Sequence, residues 1–499
     1  MAKFNLIEEA WIPVLRDGRV VEVGLKEALL QAQEIARIES PSPLEEAALH
    51  RLLLAVLYRA LPDLKDQYDL EGLLQEGGFP SGAILEYLDR YHDRFYLFHD
   101  TAPFLQIPDL PQDDPRPWTS LVPQLASGNN PTLFDHSLDD SPLPISYPEA
   151  ARALLVHQAF APGGLLRRMG VVSAKDAPLA RPAVFLVEGE NLFQTLILNL
   201  VPQEDTEKAL WERPPLQSQE VWGYRTKWPL QGVSLVYVWP SRGILLLDDG
   251  DGVRWTAYGP GVEPVDVAWR DPMVAYREDK KGNVLALRLN MDRSFWRDFA
   301  AMQPSSGGRL PAVLTHAAGF DHLDQAFSLR VLGQVSDQAK ILDIRREVYP
   351  FSKAMLTPKG ELLLKKGLEL AESTASGLTS VTWLLAREVL GDRDRTELEN
   401  FVKSLPLMRL FWHRLDADFP KFVRALQDEA AVDLWRQVLR QAALWAWGET
   451  ERFVGTEARH LKALVKARGA LAGVLSKLED ADAPPGAKGS TEAKGEVKG

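Results

Sequence analysis

From about Gly360 the chain stops reading as short strands and turns and reads as helix, and it keeps to that pattern almost to its end. Four helical stretches are predicted, near 361–390, 395–415, 419–447 and 451–479, joined by short links carrying Gly, Asp or Pro. In the last, Leu461, Leu464, Arg468, Leu471, Leu475 and Leu478 recur at helical spacing, a seam broken only by Arg468. Four such helices with short connections predict an antiparallel four-helix bundle over 359–480. The remainder, 481–499, has too few apolar residues for a core and is expected to be disordered.

Residues 1–358 have a different texture, and the whole reads as an α+β protein: a large mixed α/β N-terminal domain followed by the bundle. A length of 499 residues is more than one core normally serves. The opening predicts a hairpin, WIPVL and VVEV joined through Asp17-Gly18. A buried helix is expected over Pro43–Leu61, with Ser42 as N-cap, Pro43 in the first turn and Glu45 closing a capping box. Residues 106–148 are rich in Pro, Asp, Ser and Asn and predict a long loop, which in a compact protein usually carries function. A helix at Pro148–Phe160 should stop at Pro162-Gly163-Gly164. Beyond it, PAVFLV, SLVYVW, GILLL and NVLALRL alternate with turns and read as strands.

The run LRVLGQVSDQAKILDIRREVYPF predicts a second hairpin, over 329–344. Its tip, Ser336 to Lys340, lacks the Gly or Asn that tight turns prefer, and offers only polar or small side chains. Net charge is −12, but it is unevenly spread. Residues 1–150 hold 25 Asp and Glu against 11 Lys and Arg, a net of −14, which leaves +2 for the rest. Any phosphate contact is therefore expected later, where Arg167, Arg168, Lys175 and Arg181 cluster, and again from Arg330 to Lys366.

Chemistry is hard to find. There is no cysteine, which excludes disulfides and thiolate metal sites, and no cofactor or metal is expected. No phosphate loop, zinc-protease or nucleophile-elbow motif occurs. His99-Asp100 is the HD pair of metal-dependent phosphohydrolases, but a metal site needs several convergent ligands, and the nine histidines are scattered. His316 and His322 read as surface or satisfied histidines, and Trp296, Trp383, Trp435, Trp445 and Trp447 as core. No signal peptide or membrane span is visible, so a cytoplasmic protein is expected.

Several segments together resemble one family. FNLIEEAWIPV at the start, RFYLFHDTAPFLQ from Arg94 to Gln106, the loop from Asn129 to Asp135, Ala161-Pro162-Gly163-Gly164, the long hairpin and the terminal helices occur in that family's order. The family is CasA, the large subunit of the type I-E Cascade complex of CRISPR defence. The resemblance implies a non-enzymatic protein that reads the protospacer-adjacent motif (PAM) of duplex DNA through the minor groove. It implies help with the first strand opening and R-loop formation, and a platform for a nuclease-helicase. The implied partners are the backbone, small and 5′-handle-binding subunits, guide crRNA and target double-stranded DNA; no membrane is involved.

The resemblance also assigns residues. Gln338 is similar in position to a glutamine wedge under the PAM, flanked by Asp337 and Ala339, with Lys340 free for a phosphate. Gly163 and Gly164 resemble a glycine loop that lets backbone approach the groove, although a helix C-cap explains them equally. Arg167 and Arg168 are candidates for nearby phosphates. Asn129, Asn130, Leu133, Phe134 and Asp135 match a loop that reaches the guide RNA or a neighbouring subunit. A PAM-contacting lysine of some relatives has no counterpart before Trp269, leaving Arg254 or Arg270. Arg459, Lys462 and Lys466 form a basic stripe opposite the leucine seam, either a solvated face or a strand contact. The alternatives from other classes are an HD phosphohydrolase using His99 and Asp100, and a protein scaffold without DNA contact.

Overall fold

The computed structural model describes residues 2–122, 142–205, 207–320, 327–337, 340–391 and 393–479. The chain divides into two compact units, Met1–Ser352 and Lys353–Gly499, the first mixed helix and strand and the second helical among its described residues. No helix among the described residues is long and apolar enough to cross a membrane.

The first unit is built around the helix Pro43–Ala60. Its residues from Ala47 to Leu57 are all buried, so it is surrounded on every face. The helix Tyr147–Phe160, the short helix Val233–Val236 and the strand Phe327–Asp337 pack on it. Its expected capping box does not form. Ser42 makes no capping bond, and Glu45 instead accepts a 2.7 Å bond from Ser40 Oγ. The Tyr147–Phe160 helix does carry a full box, between Ser146 and Glu149.

Strands are short and distributed over small sheets. The opening hairpin pairs Ile12–Arg16 with Arg19–Val23, and Asp17 and Gly18 take φ of 48° and 72°, the left-handed pair that a two-residue turn requires. SLVYVW is not a strand. It is a buried helical turn, Val233–Val236, entered through Gly232 at φ 79°; a fully buried apolar run has no alternation by which to tell the two apart. The sheet that carries the long hairpin has Phe327–Asp337 between Val184–Glu188 and Lys340–Phe351, all antiparallel.

The second unit contains the helices Pro358–Leu390, Arg395–Ser404, Leu407–Arg424, Ala431–Val454 and Ala458–Glu479. The stretch expected as one helix over 395–415 is broken at Leu405-Pro406, because proline lacks the N–H that would continue it. The next expected helix starts at Ala431 instead of 419, since Pro420 and the residues after it complete the preceding helix. In the last helix the buried line is Leu464, Ala467, Leu471, Leu475 and Leu478. Leu461 is 48% exposed, and Arg468 faces outward beside Ala467, which fills the seam in its place. Trp296, Trp435 and Trp447 are core, whereas Trp445 is 43% exposed and Trp383 is half-buried. Trp435 stacks on Phe422 and donates a 2.9 Å bond to Gly367 O.

Candidate nucleic-acid interface

The long hairpin is fixed from its base upward by charge. Arg330 reaches from its inner strand to Glu188 on the neighbouring strand and to Glu46 on the central helix, at 2.5 Å from Oε1. Arg346 reaches from the outer strand to the other oxygen of the same carboxylate at 2.7 Å and to Ser40 O at 2.6 Å. Glu46 is fully buried, so both strands are tied to one desolvated acid. Burial opposes the charged form of Arg330, but Glu46 and Glu188 outweigh it and its pKa is raised. Higher up, buried Gln334 donates to Phe160 O at 2.9 Å and Ala180 O at 3.0 Å. On the outer strand Arg345 grips the carbonyls of Asn290 at 2.7 Å and Met291 at 2.5 Å.

This overturns part of the expectation that Arg330 to Lys366 supplies phosphate contacts. Arg330, Arg345 and Arg346 are committed within the protein. The exposed end of the hairpin is polar and small. Regular pairing runs to Val335 opposite Asp343; then a bulge leaves Leu342 unpaired, and Ser336 and Asp337 pair with Ile341 and Lys340. Asp337 and Lys340 are exposed at the last described pair. Gln338 and Ala339 lie outside the described residues, as do Asn129, Asn130, Leu133, Phe134, Asp135, His322 and the tail 481–499.

The glycine segment is not a helix cap. The helix before it closes at Ala161, whose N–H returns to His157 O at 3.0 Å, and neither glycine has positive φ. Gly164 begins a strand, Gly164–Arg168, paired with Val171–Ala174 around a two-residue turn, Met169-Gly170, at φ 47° and 75°. This hairpin was missed, although Leu165-Leu166 and Val171-Val172 flanking Met169-Gly170 carry its signal. Gly163 is packed rather than open: a Cβ there would stand 2.9 Å from both Ala174 O and Asp176 N. Of the two arginines, Arg168 is paired with Asp114, and Arg167, at φ 52°, is exposed with no ion pair among the described residues.

A short relay brings the two hairpins together. Gly163 N donates to Asp176 Oδ1 at 2.6 Å, Arg181 Nε donates to Asp176 Oδ2 at 3.1 Å, and Arg181 Nη1 donates to Ser336 Oγ at 3.4 Å. Arg181 thus serves as a link, and Lys175 lies 3.6 Å from Glu263. The substitutes for a lysine before Trp269 are tied locally: Arg254 pairs with Asp249, and Arg270 donates to Val267 O at 2.6 Å and Trp269 O at 2.8 Å.

Elsewhere, Lys466 is 2.5 Å from Glu388 and Arg459 donates to Glu388 O at 3.4 Å, which leaves Lys462 exposed and unpaired among the described residues. Of the stripe only Lys466 is neutralised by an acid; Arg459 is held by an uncharged carbonyl and Lys462 keeps its charge. His99 Nδ1 accepts from Thr101 N at 3.2 Å and Ala102 N at 3.0 Å, a local turn cap. Among the described residues no group of three or more His, Asp or Glu is placed to hold a metal ion. His316 is buried, with Nε2 3.0 Å from Ile197 O, and burial pushes its pKa down to about 4.

Comparison with known proteins identifies the family and the fold. The family model described as CRISPR-associated protein Cse1 matches residues 5–446. A CRISPR-associated protein CasA/Cse1 of Thermus thermophilus is 57% identical over 493 residues, covering 96% of this chain and 98% of that one. The solved structure of Thermus thermophilus CasA (Cse1) superposes with a TM-score of 0.89 at 55% identity, covering 96% of this chain and all of that one. A chain of a CRISPR RNA-guided surveillance complex shares the fold at a TM-score of 0.74 and 22% identity, over 95% of this chain and all of the other.

Proposed function

Because the chain belongs to the CRISPR-associated protein Cse1 family, we propose that it is the large subunit of a Cascade complex and reads the PAM through the tip of its long hairpin. The observation that carries this reading is the contrast along that hairpin. Its base is locked by Arg330, Arg346 and Gln334, and its exposed end presents Asp337 and Lys340. A reader that must probe a groove without deforming needs such a support.

Gln338 sits between the two exposed residues in sequence and acts as the wedge, while Lys340 holds a phosphate and so sets register. Arg167, on the short hairpin that follows Gly163, where the Asp176–Arg181 relay from Ser336 ends, extends the contact along the backbone. The minor groove offers a degenerate pattern, so several motifs are accepted. Guide pairing reads the rest of the target, the division of labour known for RNA-guided effectors. The four longer helices of the second unit form a four-helix bundle facing other subunits, with the short helix Arg395–Ser404 added to it. The protein performs no catalysis itself; it works with the backbone, small and 5′-handle-binding subunits and crRNA, and docks the nuclease-helicase. Asn129 to Asp135 meet the guide RNA or a neighbouring subunit.

The test uses the complex rebuilt with its other subunits and guide RNA, titrated with matched duplexes with and without a functional motif. The expected result is motif-dependent affinity that requires the chain and weakens with Gln338→Ala and Lys340→Ala. Equal affinity with and without the chain overturns the reading.

A further inference from the structure

The second unit carries a groove that the PAM-reading proposal does not use. Along the helix Pro358–Leu390, Ser373, Ser376, Ser380, Trp383 and Arg387 recur at spacings of three and four, and so share one face. Two cavities lie on that face, of about 440 Å³ and about 670 Å³, and Ser380 lines both. They form one trough, roughly 21 Å from Ser373 to Arg387 at ~1.5 Å per residue. The helix Ala458–Glu479 walls one end, through Val474 and Lys477. Arg393, Arg395 and Leu398 wall the other.

The lining is unusual for a chain of net charge −12, because none of the lining residues is acidic. Arg387 and Lys477 are exposed and make no ion pair among the described residues. Arg393 and Arg395 pair with Glu397 and Glu399, nearest through Nε at 3.6 Å and 2.8 Å, and both stay exposed. The hydroxyls of Ser373 and Ser376 have no intramolecular partner among the described residues and are free to donate. Trp383 is half-buried between these groups. Gly377 keeps the floor low: a Cβ there would stand 2.8 Å from the Val474 methyls.

We infer that this trough binds single-stranded nucleic acid. Phosphates lie on the arginines, Lys477 and the serine hydroxyls, and one base stacks on Trp383. The pieces match what strand-tracking proteins use, a positive groove with an aromatic platform and no base-edge readout. A base must be unpaired to stack on Trp383, so a single strand is favoured over a duplex. The inference goes beyond the PAM-reading proposal and does not rest on it.

The test measures anisotropy of a fluorescent oligo-dT on the full-length protein at low salt, with thymidine monophosphate and a duplex of equal length as competitors. The variants are Trp383→Ala, Arg387→Glu and Ser376→Glu, the last two on exposed positions that folding does not require. Each should weaken oligo-dT by about tenfold, with thymidine monophosphate and duplex competing poorly. In the rebuilt complex the same three variants should keep the ratio of affinities with and without the motif. No oligo-dT binding, binding indifferent to all three, or equal competition by monophosphate or duplex overturns the inference. Loss of the ratio with Lys340→Ala alone speaks only to the PAM reading.

Discussion

Replacing Glu46 with glutamine should loosen the long hairpin more than any exposed substitution on it. The side chain keeps its shape, but two arginines lose their shared counter-charge. Breaking a buried ion pair by removing one partner costs about 3–5 kcal/mol. Two features reduce that figure here. Arg330, 12% exposed, retains Glu188, and Arg346, 30% exposed, retains Ser40 O and some water. An expectation of about 2–3 kcal/mol follows, scaled from the same range. The assay is denaturant unfolding followed by tryptophan fluorescence, analysed for the transition of the first unit. A double-mutant cycle with Arg346→Gln should give a coupling of about 1–3 kcal/mol, as for residues in one network. In the rebuilt complex Glu46→Gln should reduce discrimination between duplexes with and without the motif, while affinity for motif-free DNA stays as it was. A loss of stability under about 0.5 kcal/mol, or strict additivity in the cycle, would refute the claim that this carboxylate holds the hairpin.

Two further outcomes follow from the packing. Gly367→Ala drives a Cβ into the Phe422 ring, which stacks on Trp435, so it should destabilise the second unit by about 1–3 kcal/mol; an unchanged melt would show that Phe422 moves aside freely. His157 is buried between Leu121 O and Tyr258 OH, and burial pushes its pKa down to about 3. His50 and His316 are likewise lowered, each to about 4. The unfolded chain then binds protons first, so stability should fall as pH drops from about 6.5 toward 4, by about 1.4 kcal/mol per pH unit per histidine. His157→Gln should flatten that slope in urea midpoints measured across the range, and an identical slope would sink the assignment.

What could be read in the sequence was mostly local. Asp17-Gly18 announces its turn because φ above zero is a property of those two residues and their neighbours. The central helix and the long hairpin are legible from patterning. The role of Arg330 is not, because its partners lie 284 and 142 residues away, and a basic residue near a hairpin reads as a free cation until they are known. The same blindness made the Arg459 to Lys466 stripe look more positive than it is, since Glu388 comes from another helix. Arg468 was given a place in a seam that Ala467 fills, a difference of one residue in helical phase. The short hairpin at 164–174 was hidden by glycines that also suit a helix end.

The bulge at Leu342 bears on solubility as well as on aim. The strand Lys340–Phe351 is the outer member of its sheet, and 12 residues of free edge invite a second chain to add on. The unpaired residue interrupts that edge near the exposed end, and the added twist turns it away from a flat approach. Pro350 offers no N–H near the other end, and Arg345 holds the 290–293 segment against the middle. A newly made copy can therefore wait for its assembly partners without templating a fibre, and a deletion that restored regular pairing would put that protection at risk.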